Sequence, residues 1–578
     1  MWKIANLVWE GEGWPEEWKT GLIVPIVKKG EGGKVEDYRG VTLMPVGYKV
    51  YAEVVRKRLE EVVERMGLIP HNQTGFREGM GTVDNIYALN FLVNRSIKKE
   101  KGKLVAVFVD FKAAFPSVNR GILWKTLRDF GIGQGFIERI KEFYEDTREK
   151  VKIGEELGEE FWLGRGLRQG CPLSPILFNL LMADLEEKME RKGKGGVILG
   201  KRRVYVLAYA DDVVLMAENE RGMKLLMKEF EGYVRKKDLC VNVEKTKVVR
   251  FRRIGEVEEV EWKLNGRRVE EVNEFCYLGY WFNWNGEQEL NIERRIEKGG
   301  RVMGQVWGIG ERRFKNDWKK RVWLFDALVW AVISYGVEVW GWGEIGKVES
   351  LHERFLRWTM GVDRNCPGYM LREELGREKV VLRQRKRAMG LEEKLELGRG
   401  SDIARECLRM VKKGKAMRRK DIPRWERERG DALEEGRRWG GNEREVMEGW
   451  KKKDENERWS RIVESKYNRW YRMVRGEKEP GYLGKMKKYE SWNRLCRFRM
   501  GEGVKECRYW MDDEEKMCRM CGFQVEDWKH VLEECMGEIE VGGVEGGIGD
   551  KIKWILDENG KGEKWIERLE RMREERMY

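Results

Sequence analysis

The sequence predicts an α+β protein with several domains. Residues 103–109 and 204–217 contain runs of β-branched and aromatic side chains of strand length, which predict buried strands. Residues 48–66 carry apolar side chains at helical spacing, and residues 286–380 are helix-forming throughout. A chain of 578 residues is long enough for roughly three or four domains.

Two adjacent carboxylates, Asp211 and Asp212, lie at the tight end of a hairpin predicted within residues 204–217. Asp-Asp in a turn is ordinary turn chemistry in many proteins. A buried hairpin, however, needs a cation to neutralise two such charges. Asp110 ends a second buried-strand pattern about a hundred residues earlier, so two strands offer three carboxylates. Paired Mg²⁺ ions fit such a set, because they prefer oxygen ligands and act in phosphoryl transfer.

A glycine-bearing loop at residues 168–175 leads into a helix predicted over 176–192. Ser174 can cap this helix and Pro175 can open it. The loop lies between the strand that ends at Asp110 and the hairpin, so the chain order is strand, loop, helix and hairpin.

In this order and spacing, these segments resemble the palm of a reverse transcriptase. The segments that carry the resemblance are residues 108–115, the block 168–179, the metal box 209–212, the lysine block 239–247 and the primer grip 275–279, with 24–30, 37–40 and 73–77 upstream. Gln-Gly-Cys-Pro-Leu-Ser-Pro-Ile-Leu-Phe-Asn at 169–179 is similar to non-LTR (LINE-type) retrotransposons, as is the segment 333–340. The resemblance covers most of residues 14–380 and, more weakly, 460–540.

The resemblance implies a right-hand polymerase with a helical C-terminal region and a small zinc-knuckle-like module. The expected parts are N-terminally truncated fingers at 1–102, a palm at 103–285, a helical thumb at 286–380, a basic helical C-terminal region at 381–505, a Cys₃His zinc module at 506–540 and a charged helical tail at 541–578. The N-terminal endonuclease domain that such elements commonly carry is not visible, so we expect a separate endonuclease as a partner.

The implied activity is RNA-directed DNA polymerisation, with an RNA template, a DNA primer or target and dNTPs as partners. Nucleotidyl transfer to the primer 3′-hydroxyl would occur in target-primed reverse transcription. Asp110 and Asp211 are the expected main ligands of two Mg²⁺ ions, and Asp212 is auxiliary. Lys245 is expected to protonate the departing pyrophosphate.

The residues expected to contact the nucleotide or template are Lys28, Lys29, Arg39, Phe115, Gln169 and Gly170. Arg39, with Lys28 or Lys29, would cover the triphosphate charge. Phe115 would collide with a ribose 2′-hydroxyl, although an ordinary core phenylalanine is the alternative interpretation. Gln169 and Gly170 would let the backbone approach the nascent base pair closely.

Near the C-terminus, Cys518, Cys521, His530 and Cys535 have the spacing Cys-x2-Cys-x8-His-x4-Cys. This spacing fits a closed Cys₃His site with one structural Zn²⁺. His530 is the only histidine after residue 352 and stands in ligand register with three cysteines. The competing interpretation is a reduced, metal-free cysteine pair with incidental neighbours.

The net charge of +14 and the pI of about 9.1 suit a polyanionic partner. Residues 381–505 interleave basic side chains with tryptophans, which is typical either of a nucleic-acid-binding arm or of a solvated helix bundle with a tryptophan core. Residues 412–420 form a basic run that suits nuclear import or nucleic-acid binding. The sequence has no long apolar run or signal pattern, so we expect no membrane partner and a nuclear and cytoplasmic ribonucleoprotein.

Two other hypotheses remain open. One is a reverse transcriptase of group II intron or retron type, which the Cys-Pro-Leu-Ser-Pro sequence at 171–175 and the Cys₃His cluster disfavour. The other is a non-catalytic nucleic-acid-binding relic, which the intact Asp110, Asp211, Asp212 and Lys245 disfavour.

Overall fold

The computed structural model describes residues 2–28, 33–99, 102–253, 259–413, 422–476, 479–484, 488–508, 510–535 and 541–575. The chain divides into two compact units, one of residues 1–290 with 392–423 and one of residues 291–391 with 424–578. The predicted α+β class is confirmed. The finer division into fingers, palm, thumb and C-terminal parts stays a prediction. Of the helices described, none has the length and apolar character that a membrane crossing requires.

The described strands all lie in the first unit. They are β1 (Thr20–Val27), β2 (Tyr38–Leu43), β3 (Lys103–Val109), β4 (Arg148–Ile153), β5 (Glu156–Leu157), β6 (Phe161–Trp162), β7 (Val197–Leu199), β8 (Arg202–Val204), β9 (Val206–Tyr209), β10 (Asp212–Ala217), β11 (Lys247–Arg252), β12 (Trp262–Leu264), β13 (Arg267–Glu271), β14 (Glu274–Tyr277) and β15 (Tyr280–Asn283).

The helices belong to both units. They are α1 (Trp2–Glu10), α2 (Glu16–Lys19), α3 (Val46–Met66), α4 (Thr82–Ile97), α5 (Arg120–Asp129), α6 (Gln134–Lys141), α7 (Ser174–Met182), α8 (Leu185–Lys192), α9 (Glu220–Lys236), α10 (Glu289–Phe314), α11 (Trp318–Leu324), α12 (Trp330–Ile333), α13 (Val337–Trp340), α14 (Gly346–Met360), α15 (Gly368–Glu374), α16 (Val380–Glu396), α17 (Asp402–Lys413), α18 (Arg424–Arg437), α19 (Glu443–Val463), α20 (Tyr471–Val474), α21 (Gly481–Gly484), α22 (Tyr489–Arg499), α23 (Ile548–Ile555) and α24 (Glu563–Glu575).

The central sheet of the first unit has the strand order β12-β13-β11-β3-β10-β9. Strand β3 lies in its middle and pairs antiparallel with both β10 and β11. Val213 at the start of β10 faces Val109 at the end of β3, so the residue after β3 lies beside the β9–β10 turn. A second sheet has the order β2-β1-β4-β5, with β6 also paired to β4.

Strand β3 is buried on both faces, which explains its unbroken apolar run. Leu104 to Val109 are each at most 4% exposed. Helices α4 and α9 both pack against this strand, and the Phe108 ring stacks on Phe275 with centroids 4.3 Å apart. Removing each such side chain from water contributes about 1.5–3 kcal/mol, so the central sheet is a rigid platform for the residues at its edge.

The second unit is helical in its described residues, with tryptophans inside its cores. Trp425, Trp450 and Trp492 are 3%, 2% and 2% exposed. Trp459 is 37% exposed. Of the two interpretations of residues 381–505, the structure therefore favours a helix bundle with a tryptophan core for these three positions.

Candidate active site and metal centre

The three predicted catalytic aspartates lie at one edge of the central sheet. Asp110 follows β3, Asp211 lies in the two-residue turn between β9 and β10, and Asp212 is the first residue of β10. Asp110 and Asp211 line a cleft of about 620 Å³. The cleft is also lined by other predicted residues, namely Lys28, Arg39, Phe115, Gln169 and Lys245. Sequence segments up to about 200 residues apart thus meet at one site.

Burial and neighbouring carboxylates raise the pKa of Asp211 and of Asp212. Desolvation, followed by the charges of Asp211 and Asp110, raises the pKa of Asp212 to about 6. The pKa of Asp211 is also raised, first by desolvation and then by Asp110, while Arg39 and Lys28 act in the opposite direction. Ionised carboxylates are disfavoured in this site, and a bound cation would stabilise their charged forms.

The hairpin turn that carries Asp211 is held by a side chain from a distant segment. Ala210 has φ of 54°, in the left-handed region that residues other than glycine rarely adopt. Its N–H donates to Gln73 Oε1 at 2.8 Å, and Gln73 Nε2 donates to the Ala210 carbonyl at 3.3 Å. Gln73 is 3% exposed. The Gln73 side chain therefore fixes both polar backbone groups of the strained residue next to Asp211.

The segment around Gln73 packs directly against the hairpin. A Cβ at Gly75 would lie 2.4 Å from the Ala210 nitrogen, so this position requires glycine. Asn179 Nδ2 donates to the Gly75 carbonyl at 2.7 Å, and Asn85 Nδ2 donates to the Ala208 carbonyl at 2.9 Å. The sequence motif 73–77 was predicted only as part of the fingers, and this supporting role was missed because the contacts are long-range.

The lysine block is fixed to the end of β3 by backbone hydrogen bonds. The Asn242 N–H donates to the Asp110 carbonyl at 2.7 Å, and the Asp110 N–H donates to Thr246 Oγ1 at 3.2 Å. Lys245 lies between these two anchors, with its Nζ 3.9 Å from Asp110 Oδ2. The structure therefore brings the predicted proton donor next to a predicted metal ligand.

Phe115 both packs in the protein and faces the cleft. Its ring stacks on Phe178 of α7, with centroids 4.8 Å apart. The side chain is partly exposed and lines the cleft. Core packing and a surface toward the sugar are therefore compatible, and the sugar-gate role stays a prediction.

Contacts within the protein require a glycine at position 170. Its φ is 133°, and a Cβ there would lie 2.2 Å from the Thr42 carbonyl oxygen. The Thr42 N–H in turn donates to the Gln169 carbonyl at 2.7 Å. The expected close backbone approach is thus made to β2, and any approach to a nascent base pair stays a prediction.

Lys28 follows β1, and Arg39 lies in β2. Both side chains are exposed and line the same cleft as Asp110 and Asp211. Ile26 pairs with Arg39, which brings the two basic residues to one end of this pair. Lys29 lies outside the described residues.

The C-terminal cluster has the geometry of a four-ligand metal centre. The ligand atoms of Cys518, Cys521, His530 and Cys535 all lie within 4.8 Å of one another. The Cys518 and Cys535 sulfurs are 3.7 Å apart, close to the roughly 3.8 Å that Zn–S bonds of about 2.3 Å give across a tetrahedron. His530 Nδ1 lies 2.7 Å from Glu534 Oε2, which orients the other ring nitrogen toward the sulfurs. The donor set fits Zn²⁺.

Within the described residues, this cluster is the only group of at least three His, Cys, Asp or Glu side chains whose ligand atoms converge. The cleft aspartates face a common space without forming such a group. Their oxygen donors have the chemistry that Mg²⁺ prefers.

Comparison with known proteins adds the family. Residues 26–282 match the family described as reverse transcriptase (RNA-dependent DNA polymerase). The chain is 27% identical over 245 residues to the Pol polyprotein of the type-2 retrotransposable element R2DM of Drosophila melanogaster, covering 42% of this chain and 22% of that protein. It is 24% identical over 396 residues to the RNA-directed DNA polymerase from mobile element jockey of the same species, covering 65% and 41%.

The type-1 retrotransposable element R2 Pol polyprotein of Popillia japonica is 25% identical over 290 residues, covering 48% of this chain and 40% of that protein. The chain thus spans less than half the length of these relatives. Among solved structures, apo telomerase from Candida tropicalis aligns with a TM-score of 0.37 at 14% identity, covering 74% of each chain.

The resemblance stated from the sequence is therefore confirmed. The three aspartates, the lysine block and the segment around Gln73 all lie within the matched residues. Residues 26–282 match the reverse transcriptase family, and the chain is similar to polyproteins and polymerases of non-LTR retrotransposable elements.

Proposed function

We propose that this chain is an RNA-directed DNA polymerase that extends a primer 3′-hydroxyl on an RNA template by two-metal nucleotidyl transfer. The observation that supports this most is the meeting of Asp110, Asp211 and Lys245 in one cleft with Arg39. Acidic and basic side chains that line one cleft suit a reaction in which a triphosphate is held and cleaved.

The chain's own residues have distinct tasks in this reaction. The primer 3′-oxygen forms a bond to the α-phosphorus of the dNTP, and the bond from that phosphorus to the departing pyrophosphate breaks. Lys245 donates a proton to the pyrophosphate as it leaves. Arg39 and Lys28 neutralise the triphosphate charge from the fingers side. Phe115 excludes a ribose 2′-hydroxyl by occupying the space that it would need.

Asp110 and Asp211, with Asp212 as an auxiliary ligand, would hold two Mg²⁺ ions. Bound there, the ions would activate the 3′-hydroxyl and stabilise the charge that develops on the phosphate oxygens. The raised pKa values of Asp211 and Asp212 support this assignment, because burial and neighbouring carboxylates disfavour the charged forms and a bound cation would favour them.

The Cys518 cluster would hold one structural Zn²⁺. Its four donors leave no open position for a substrate, so its binding free energy would stabilise the C-terminal module. Target-primed copying in the nucleus, with a nick supplied by a separate endonuclease, completes the proposal.

Primer extension on an RNA template tests the proposal. We expect wild-type protein to extend a DNA primer in Mg²⁺, and Asp211→Asn to lower the rate at least about 1,000-fold. Losing one carboxylate forfeits several kcal/mol of charge stabilisation, and each 1.4 kcal/mol corresponds to about tenfold. The control is Asp129→Asn, which makes the same chemical change at an exposed position outside the cleft. Extension by Asp211→Asn within tenfold of wild type would refute the assignment.

A further inference from the structure

A second cavity of the first unit, of about 860 Å³, is lined mainly by basic side chains. The turn between β7 and β8, the last turn of α4 and one face of α17 form its walls. Its charged lining residues are the cations Arg95, Lys201, Arg202, Arg405, Arg409 and Lys413, with the acids Asp402 and Glu406. We call this the basic cavity. It shares no lining residue with the catalytic cleft.

The cations of α17 form a row. Arg405, Arg409 and Lys413 are spaced four residues apart, so they lie on the same face of the helix. Each step of four residues rises about 6 Å along the helix, which makes the row about 12 Å long. A linear series of positive charges matches a linear polyanion better than a single compact anion.

The walls of the cavity are fixed by close packing. A Cβ at Gly200, where φ is 62°, would lie 2.7 Å from Glu406 Oε1, so the β7–β8 turn packs directly on α17. The segment before α17 is held by the buried Asp84 of α4, which accepts from the Ser401 N–H at 2.8 Å and from Lys394 Nζ at 3.2 Å. The basic side chains are therefore held on a preformed surface.

The charge in the cavity is only partly neutralised. Arg405 pairs with Asp402, and Arg409 pairs with Glu406 at 3.0 Å. Lys201, Arg202 and Lys413 make no ion pair within the described part of the chain.

His71 lies beside the Asp402 carboxylate of the cavity. Its Nδ1 lies 2.6 Å from Asp402 Oδ2. The pKa of His71 is nevertheless lowered, first by desolvation and then by the cations Arg77, Arg202 and Arg405. Burial and, after it, the nearby cations therefore both disfavour a protonated His71.

The lining also limits how a ligand can be recognised. Among the described residues that line the cavity there is no aromatic side chain, so bases have no ring on which to stack. Arginine and lysine contacts to phosphates position a nucleic acid without selecting its sequence. A ligand held here would therefore bind through its backbone and with strong salt dependence.

We propose that the basic cavity binds the phosphodiester backbone of a nucleic-acid strand outside the catalytic cleft. The proposal rests on the proposed function, because a polymerase handles strands longer than those its cleft encloses. Such a second contact increases affinity without contributing to the chemistry.

The test is binding of a fluorescein-labelled 60-nucleotide RNA, and of DNA of the same sequence, measured by anisotropy between 50 and 300 mM KCl. The full-length variant Lys201→Glu, Arg202→Glu, Lys413→Glu reverses the three cations without an ion-pair partner. The control variant Lys125→Glu, Lys228→Glu, Lys236→Glu changes the charge equally at exposed positions outside both cavities.

We expect the cavity variant to bind at least about tenfold more weakly at 100 mM KCl. We also expect its log–log salt slope to be smaller by about 2, since each phosphate contact to a single strand contributes about 0.7. The nucleic acid, RNA or DNA, whose affinity falls more in the cavity variant is identified as the ligand. Equal losses in the cavity and control variants, or no loss in either, would overturn the proposal.

A measurement on the wild-type protein covers the case of a misfolded variant. Lys201 and Lys413 should be protected from an amine-reactive ester when RNA or DNA is added, whereas Lys125 and Lys228 should not. Modification of Lys201 and Lys413 that neither nucleic acid changes would contradict the proposal.

Extension of a short primed RNA separates this proposal from the proposed function. The cavity variant should extend a short template at saturating protein at the wild-type rate, while Asp211→Asn should not. If Asp211→Asn extends normally, the proposed function fails. The binding difference between cavity and control variants then still decides the basic cavity.

Discussion

The cleft lined by Asp110 and Asp211 and the C-terminal cluster are both candidate metal sites. They differ in how far apart their ligands lie in the sequence. The four ligands of the cluster lie within 18 residues of sequence, and their donor atoms already converge. The cleft takes Asp110 from the residue after β3 and Asp211 from the β9–β10 turn. Distant residues hold these segments: Thr246 bonds Asp110, and Gln73 bonds Ala210 beside Asp211. The first design suits a metal that stays, and the second suits ions that arrive with the substrate.

Disrupting the cluster should have the largest effect on folding and little effect on chemistry. Cys521→Ser removes one of four ligands, and zinc binding at structural sites is worth about 10–16 kcal/mol. We expect loss of the zinc and unfolding of residues 510–535, seen as rapid proteolysis there. Extension of a simple primed template should be retained. Glu533→Gln, at an exposed position between His530 and Cys535 that supplies no ligand, is the control. Protein purified without chelators that contains no zinc would contradict the site.

Disrupting the support of the cleft should affect chemistry without unfolding the protein. Gln73→Leu leaves the buried Ala210 N–H without its acceptor, at a cost of about 1–3 kcal/mol. We expect extension to fall about 10- to 100-fold and half-maximal activity to require more Mg²⁺. Gln73→Glu keeps the acceptor and should be intermediate.

A shifted Mg²⁺ requirement is the measurement that separates positioning of Asp211 from general stability. Gln134→Leu, at an exposed helix position, should behave as wild type. If Gln73→Leu lowers the melting temperature but leaves the Mg²⁺ requirement unchanged, Gln73 is structural only.

Phe115→Val tests a specificity role for the cleft wall. Removing the ring should open space for a 2′-hydroxyl and raise rNTP incorporation relative to dNTP by about tenfold or more, while dNTP use changes little. Phe178→Leu removes the stacking partner and should reduce stability without the same change of sugar preference. If Phe115→Val and wild type discriminate equally between rNTP and dNTP in single-nucleotide incorporation, Phe115 has only a packing role.

The smallest expected effect is a pH dependence of metal binding in the cleft. The pKa of Asp212 is raised to about 6, so its carboxylate is protonated below that pH. We expect apparent Mg²⁺ affinity in extension assays to fall as pH drops from 7 to 5, and Asp212→Asn to flatten this dependence.

In metal-free protein the ionised Asp212 carboxylate is unfavourable, because a raised pKa means that ionisation opposes folding. Asp212→Asn should therefore raise the melting temperature above pH 6 and leave it nearly unchanged near pH 3.5. An equal rise at both pH values would show that the charge of Asp212 is not responsible.

Local features of both sites could be predicted from the sequence, whereas their long-range contacts could not. The Cys518 cluster and the hairpin that carries Asp211 are local patterns, so spacing and strand periodicity were sufficient. The contacts of Gln73 with Ala210 and of Thr246 with Asp110 join residues 137 and 136 positions apart, and no local pattern encodes them.

Local rules also failed where tertiary contacts competed. The helix predicted over 176–192 is divided into α7 and α8. Ser174 was predicted as its cap, but it is the first residue of α7, and its hydroxyl donates to the Arg168 carbonyl at 2.8 Å. Leu173 stands at the N-cap position instead, and the Ser174 hydroxyl ties α7 to the loop that precedes it.

The central position of β3 has a consequence for synthesis of the protein. Its two partners, β10 and β11, are made more than a hundred residues later, at 212–217 and 247–252. Until residue 252 has left the ribosome, at least one edge of this apolar strand lacks its native partner. Unpaired apolar strands associate with one another, so recombinant fragments that end before residue 252 are poor candidates for soluble expression.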